Sequence, residues 1–266
     1  MSLEFRLIRM AKRDPYMIAA MDHAIHEAVE TRQSPPTLVY HNWEPSVSIA
    51  SGQALSDLNL EECQQKGFNV VRLPTGGKAV VHFPDQEFSY SLFVPLESHF
   101  RDIRKVYETY CGRIAEALSS FGLPSTVVDN NDIFVGDRKI GGNAQRVKRE
   151  TSMQQGVILY ENPDAEVMLR LMHPSLYPDT ALSQLQNLLT GFTEYSDASQ
   201  EELRRRMTEM ITGGAYTPGD LTPRERERVE ELYLHYKDVQ PSQSNLVRGL
   251  CWLPAPGYRK EVRNIA

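Results

Sequence analysis

Between Asn69 and Val94 three apolar runs, "NVVRL", "AVVHF" and "FSYSLFV", follow one another with almost no chain between them. Their β-branched and aromatic content predicts three consecutive strands, which a chain of this kind satisfies most simply with antiparallel pairing. The first connection, Thr75-Gly76-Gly77-Lys78, is longer than a two-residue hairpin turn. Glycine supplies backbone angles at positive φ, so a plain turn accounts for the pair. Thr75, Lys78 and His82 also bring a hydroxyl, a cation and an imidazole beside exposed backbone N–H groups, a combination suited to an anionic ligand. Both readings stand on shape alone.

Elsewhere the pattern alternates between strand and helix. "LEFRLIR", "TLVYHNW", "SVSIAS", "NDIFVGDRKIGGNAQ" around a Gly136-Asp137 turn, and "SMQQGVILY" read as strands. Asp14-Pro15 opens a helix with Met17, Ile18, Met21, Ile25 and Val29 on one stripe. A second helix is predicted from Ser56, as its cap, to Gly67. A third covers Asp102 to Phe121, with Val106, Tyr110, Ile114 and Leu118 at helical spacing. Ser199/Glu202 and Thr222/Glu225 have capping-box spacing, the latter with Pro223 at the first helical position. The sum is an α+β fold: a mixed, largely antiparallel sheet flanked by helices. Residues 1–195 are expected to form the principal domain, 196–240 a helical C-terminal part of it, and 241–266 an irregular tail.

Composition removes several function classes. Lys+Arg 29 against Asp+Glu 35, a net charge of −6, argues against nucleic-acid binding by bulk electrostatics. No apolar run approaches membrane-spanning length, and the N-terminus lacks a signal-peptide core. Cys63, Cys111 and Cys251 have no metal-ligand spacing, and three is an odd count, so a reducing, cytoplasmic setting is expected. All three read as structural. The run "RERERVEE" is a solvated helix face.

Three stretches, "RLPTGGKAVVH", "NDIFVGDRKIGGNAQR" and "MQQGVIL", occur in an order and at separations that resemble the lipoate–protein ligase A family. That family shares its fold with biotin protein ligases. Its first signature places two arginines before Ser/Thr, three glycines, Ala-Val and a histidine. Arg72, Thr75, Gly76, Gly77, Ala79, Val80 and His82 match, with Leu73 at the second arginine and Lys78 at the third glycine. Asn131, Asp132, Lys139, Gly142, Ala144 and Gln145 match the second signature, and Arg146 falls where family ligases often carry arginine. Met153-Gln154-Gln155-Gly156 resembles the third, and Asp22 and Ala24 fit the family's opening helix.

The resemblance implies a biotin/lipoate protein ligase catalytic fold. It implies activation of lipoate or octanoate with ATP and Mg²⁺ as an acyl-adenylate. Transfer then follows to a lysine of an apo lipoyl carrier domain, from a 2-oxoacid dehydrogenase E2 or a glycine cleavage H protein. Lys139 would be the catalytic ammonium, stabilising negative charge where water is excluded. Arg72, Thr75, Gly76, Gly77, Lys78, His82, Gly142, Ala144 and Arg146 would contact substrate. Asn131 and Asp132 would face the nucleotide, Asp132 as a candidate Mg²⁺ ligand. From the residues themselves, Arg72 equally suits capping of sheet carbonyls, and His82 a structural hydrogen bond at a strand end. Val71 and Val80 are candidates to line an acyl slot.

Superfamily octanoyltransferases instead work from a carrier thioester through a cysteine upstream of the hairpin lysine. Thr75-Gly76-Gly77-Lys78 resembles their version of the glycine loop, but "LPSTVVDNND" holds no cysteine. The expectation is therefore a ligase, with a thioester-dependent acyltransferase or a non-catalytic lipoyl-binding homologue as alternatives. No counterpart of the accessory domain that many family ligases use is read in the sequence, so a separate accessory subunit or a transfer-only enzyme is expected.

Overall fold

The computed structural model describes residues 3–96, 103–177 and 179–237. In chain order it runs β1 (Phe5–Arg13), α1 (Pro15–Glu30), β2 (Thr37–Trp43), β3 (Ser46–Ile49), α2 (Leu60–Gln65) and β4 (Asn69–Arg72). Then come β5 (Val80–His82), β6 (Glu87–Pro95), α3 (Ile103–Ser119), β7 (Ser125–Val128), β8 (Asp132–Val135), β9 (Arg138–Val147) and β10 (Thr151–Leu159). The C-terminal part holds α4 (Ala165–Arg170), α5 (Ala181–Leu188), α6 (Gln200–Thr212), β11 (Tyr216–Pro218) and α7 (Pro223–Lys237).

Among the described residues the strands form an eight-stranded sheet in the order β11-β1-β2-β6-β10-β9-β8-β7 and a three-stranded sheet β4-β3-β5. In the large sheet β1 runs parallel to β2 and β11, while the other pairings are antiparallel. The predicted mixed, largely antiparallel α+β architecture is thus present. The three consecutive strands do not make one meander, however. β4 and β5 flank β3 in the small sheet, and β6 crosses to the centre of the large one.

The alternation of β6 explains why. Phe88, Tyr90, Leu92 and Val94 point into the main core with Val106, Ile114 and Leu118 of α3 and Leu203, Met207 and Ile211 of α6. Phe93 points to the other face, where it joins Ile25 and Val29 of α1. Glu87, Ser89 and Ser91 share that second face and are all buried. Helices α1 and α7 pack together. A further core under the small sheet joins Val47, Val81, Leu159 and Met168.

Local signals set most boundaries. The Asp14 side chain accepts from the N–H groups of Tyr16 and Met17, with Pro15 next to it. Ser199 and Glu202 form a reciprocal capping box at α6. Gly136, at φ 60°, turns the β8–β9 hairpin. Asn59, not Ser56, caps α2, because Leu55–Asp57 first makes a turn of 3₁₀ helix. The three-residue β11, inside a stretch predicted helical, arises from parallel pairing of Phe5 with Tyr216, a long-range contact that local pattern does not encode. The predicted tail of residues 241–266 and Cys251 lie outside the described residues. Among the described residues no helix is long and apolar enough to cross a membrane.

Glu225 ties the C-terminal helix to the sheet. Its carboxylate accepts from both terminal nitrogens of Arg6 at 2.8 and 2.7 Å, from Ser34 Oγ at 2.8 Å and from the Thr222 N–H at 2.7 Å. Both partner side chains are buried, at 9% and 2% exposure. Removing the carboxylate with Glu225→Ala strands a buried guanidinium, and about 3–5 kcal/mol of stability should be lost, read by urea denaturation at neutral pH.

His26 makes a second, pH-dependent test. Burial first, and the neighbouring charges of Lys148 and Arg146, lower its pKa from 6.5 to about 3. Its Nε2 lies 3.0 Å from Thr151 Oγ1. Between those two pH values the unfolded chain binds a proton that the folded chain excludes, so stability falls as pH drops from 6.5 toward 3. A His26→Gln variant should lose less stability than the parent between pH 7 and pH 5, by the same denaturation measurement.

Candidate functional site

Asp129 and Asn130 take the left-handed conformation in succession, at φ 51° and 75°. Asx residues tolerate it, and the bend drops the chain directly into β8 with Asp132 as its first residue. Asn131 and Asn143 lock this bend onto β9: Asn131 Nδ2 donates to the Asn143 carbonyl at 2.7 Å, and Asn143 Nδ2 to the Asn131 carbonyl at 2.9 Å. Across the hairpin, Lys139 Nζ lies 2.7 Å from Asp132 Oδ2, with the lysine side chain 3% exposed. An ammonium so desolvated needs an anionic partner, and Asp132 provides it. Gly142 sits over the pair: a Cβ there would come within 3.4–3.6 Å of Asp132 Oδ1 and of Lys139 Cε and Nζ.

The pair opens on a cavity of about 600 Å³, within the range of roughly 300–1,000 Å³ usual for small-molecule sites. Leu73, Val80, Phe134, Val157 and Leu188 give it apolar walls, and Gly76, Gly77 and Lys78 form its rim. The two glycine-rich stretches and Lys139 therefore meet at one cavity. Leu73, at the position where the family signature has a second arginine, adds apolar surface instead of a guanidinium. Thr75, His82, Asn131, Asp132, Gly142 and Ala144 also line it.

Three of the expected residues lie away from the lining, and Gly76 has a backbone partner. Arg72 is not part of the lining: its Nη1 donates to the carbonyls of Ala50 and Gln53 at 2.9 and 2.6 Å, holding the loop after β3. Arg146 is also outside the lining, and its charge acts on His23, His26 and Tyr236 instead. Gly76 stays on the rim, where its N–H donates to the Gln145 carbonyl at 3.3 Å. Val71 belongs to the core around α1 and not to the acyl slot, whereas Val80 does line it.

Asp132 Oδ2 is engaged by an ammonium, and among the described residues no group of three His, Cys, Asp or Glu side chains is placed to hold a metal. One or two carboxylates suffice for Mg²⁺ only when substrate phosphates complete its shell.

His41 and Trp43 of β2, Ser89 and Ser91 of β6 and Gln155 of β10 also line the cavity, and sequence reasoning gave them no site role; Asp22 of α1 stands behind them. Thr75 Oγ1 donates to Gln155 Oε1 at 2.8 Å, and Gln155 Nε2 donates to Asp22 Oδ2 at 2.7 Å. Ser91 Oγ donates to the same carboxylate oxygen at 2.5 Å, and His41 Nε2 lies 2.9 Å from Ser91 Oγ. Beside it His82 stacks on Trp43, ring centroids 4.1 Å apart and planes 6° from parallel. His82 Nδ1 lies 2.6 Å from Glu87 Oε1, and its Nε2 is 2.9 Å from Ser48 Oγ. The available signal was the polar alternation Glu87, Ser89, Ser91 in a strand whose other face is wholly apolar.

Both described cysteines are buried away from the cavity. Cys63 sits in the core under the small sheet, where burial pushes its thiol up to about 11. Cys111 is in the main core, its thiol also raised by burial, and accepts from Gln154 Nε2 at 3.5 Å. Among the described residues no cysteine lines the cavity.

Residues 14–215 match the lipoyl protein ligase A/B catalytic domain family. An octanoyltransferase LipM of Moorella thermoacetica is 27% identical over 263 residues, covering 87% of this chain and 95% of that protein. An octanoyltransferase LipM of Brevibacillus brevis is 28% identical over 269 residues, covering 86% and 94%. Among solved structures, the bi-partite lipoate protein ligase of Thermoplasma acidophilum superposes with a TM-score of 0.79 at 20% identity, over 93% of this chain and 99% of that one. Lipoate-protein ligase A bound with ATP gives 0.76 at 20% identity, over 92% and 100%. At those identities the structures establish the fold, and the family match over most of the chain establishes more: this protein belongs to the lipoyl protein ligase A/B catalytic domain family and is an enzyme of the ligase and acyltransferase kind.

Proposed function

We propose that this protein takes an octanoyl or lipoyl group from an activated donor and delivers it to the lysine ε-amine of a lipoyl carrier domain. The carrying observation is the buried Lys139, paired with Asp132 at 2.7 Å and opening on an apolar-walled cavity. The apolar walls suit a medium-chain tail, each buried CH₂ contributing about 0.8 kcal/mol. When the amine attacks, negative charge moves onto the acyl oxygen. Lys139, oriented in advance by Asp132, supplies a fixed positive charge for it in a dry setting. Asp132 holds the lysine side chain in place at 2.7 Å, and a low local dielectric strengthens the effect of its charge.

The relatives named octanoyltransferase favour a carrier-bound octanoyl thioester as donor, in preference to the ATP-dependent ligase that the sequence suggested. One observation keeps the ligase as a second reading: no cysteine lines the cavity among the described residues, and Asn131-Asp132 stands at the hairpin instead. In that reading ATP and Mg²⁺ enter together, and an accessory subunit has a place. The partner in either case is an apo lipoyl domain of the E2 or H-protein type.

Two measurements separate these. With apo lipoyl domain and octanoyl carrier-protein thioester, and no ATP, the lipoyl domain should gain the mass of one octanoyl group. Gain only from free octanoate with MgATP would transfer the assignment to the ligase reading, and no gain from either donor would end both. Lys139→Met, which keeps the stem and removes the charge, should lower the rate of transfer by about 10²–10³-fold. A rate equal to that of the parent would remove Lys139 from the chemistry.

A further inference from the structure

The geometry points to Ser48 as the side chain that receives the acyl group, activated by His82 and Glu87; this rests on the acyl-transfer reading above. Glu87 is buried and its Oε1 lies 2.6 Å from His82 Nδ1, so that nitrogen carries the ring proton and donates it to the carboxylate. With Nδ1–H turned to Glu87, Nε2 is the ring nitrogen left facing Ser48 Oγ at 2.9 Å, placed to take the serine proton. This is the connectivity of a serine nucleophile, a histidine base and a carboxylate that fixes the base's tautomer. It is also rigid. Ser48 and His82 come from neighbouring strands, β3 and β5, paired in register, and Trp43 holds the ring face to face.

Ser48 and His82 line the same cavity as Lys139. The second hydroxyl–imidazole pair in the lining lacks this order. Ser91 Oγ donates to Asp22 Oδ2, and the same carboxylate meets His41 at Nε2, 3.2 Å away and on the serine side of the ring, while His41 Nδ1 faces Met10 Sδ at 3.2 Å. Burial leaves neither described cysteine as a thiolate near neutrality.

The steps balance without a further reactant. Ser48 Oγ bonds to the carbonyl carbon of the donor thioester while His82 Nε2 takes its proton. The C–S bond breaks, the departing sulfur collects that proton from His82, and an oxygen ester remains on Ser48. The carrier lysine's amine then attacks the ester carbon, His82 removes an amine proton, and the C–Oγ bond breaks as Oγ is reprotonated. The products are the amide and the original serine.

The test uses the full chain and octanoyl-pantetheine as thioester probe, with apo lipoyl domain as acceptor. Rapidly quenched parent protein should carry one octanoyl group, mapped by peptide mass spectrometry to Ser48, and a variant with Cys63, Cys111 and Cys251 all changed to Ala should carry it too. Ser48→Ala should lose the adduct and slow transfer to the lipoyl domain by about 10³-fold or more, with unchanged circular dichroism. Ser48→Cys should restore an adduct, now released by hydroxylamine at neutral pH as a thioester is. Full transfer by folded Ser48→Ala, or an adduct mapped to another residue, would overturn the assignment and leave acyl transfer itself standing. Failure of the parent to transfer from any donor would instead overturn the underlying reading.

Discussion

The constraint on which the rest of this structure depends is the burial of polar side chains on one face of its central strand. β6 sends Phe88, Tyr90, Leu92 and Val94 into the main core, so Glu87, Ser89 and Ser91 are fixed on the opposite face and cut off from bulk water. A buried carboxylate without partners is costly by several kcal/mol, so the neighbouring elements must supply them. β5 brings His82 to Glu87, and β2 and α1 bring His41 and Asp22 to Ser91. Folding thus builds a wall of oriented hydrogen-bonding groups before any ligand arrives, the condition under which electrostatic stabilisation works best.

The same logic governs the opposite wall. Lys139 is held in a desolvated position with Asp132 facing it across a hairpin, and that hairpin turns on two successive left-handed Asx residues and on glycine at position 136. Close packing behind it is equally demanding. At Gly156 any Cβ would collide with the Tyr90 ring and Asn143, and at Gly141 it would meet Ile158 Cδ1 at 2.6 Å. Gly156 leaves room for the Tyr90 and Asn143 side chains to meet across β10, where Gln154 Nε2 reaches Tyr90 Oη and Asn143 Oδ1 at 3.0 and 3.2 Å.

Much of this was legible in the sequence because its signals are local. Alternation located β2, β6, β9 and β10. Asp14-Pro15 and Ser199/Glu202 located the starts of two helices, and the glycine pairs with Lys139 located one side of the cavity. What was not legible depends on pairing over long distances. Nothing near Arg72 indicates that its guanidinium will find the carbonyls of Ala50 and Gln53, and nothing near Gly76 that Gln145 will take its N–H. β11 exists only because β1 lies beside it. Glu87, Ser89 and Ser91 were visible as an alternation, but their partners come from α1, β2 and β5, and only the fold reveals that the polar face looks onto a cavity.

Family membership, an apolar-walled cavity and a buried ammonium converge on one claim: the acyl carbonyl is held against Lys139 with its tail along Leu73, Val80 and Phe134. The most direct measurement is a crystal structure with a non-hydrolysable octanoyl thioester analogue bound. The account predicts its carbonyl oxygen within hydrogen-bonding distance of Lys139 Nζ and its alkyl chain against those three side chains. Density for the analogue elsewhere on the protein, or a carbonyl turned away from Lys139 with the Lys139–Asp132 pair intact, would contradict it.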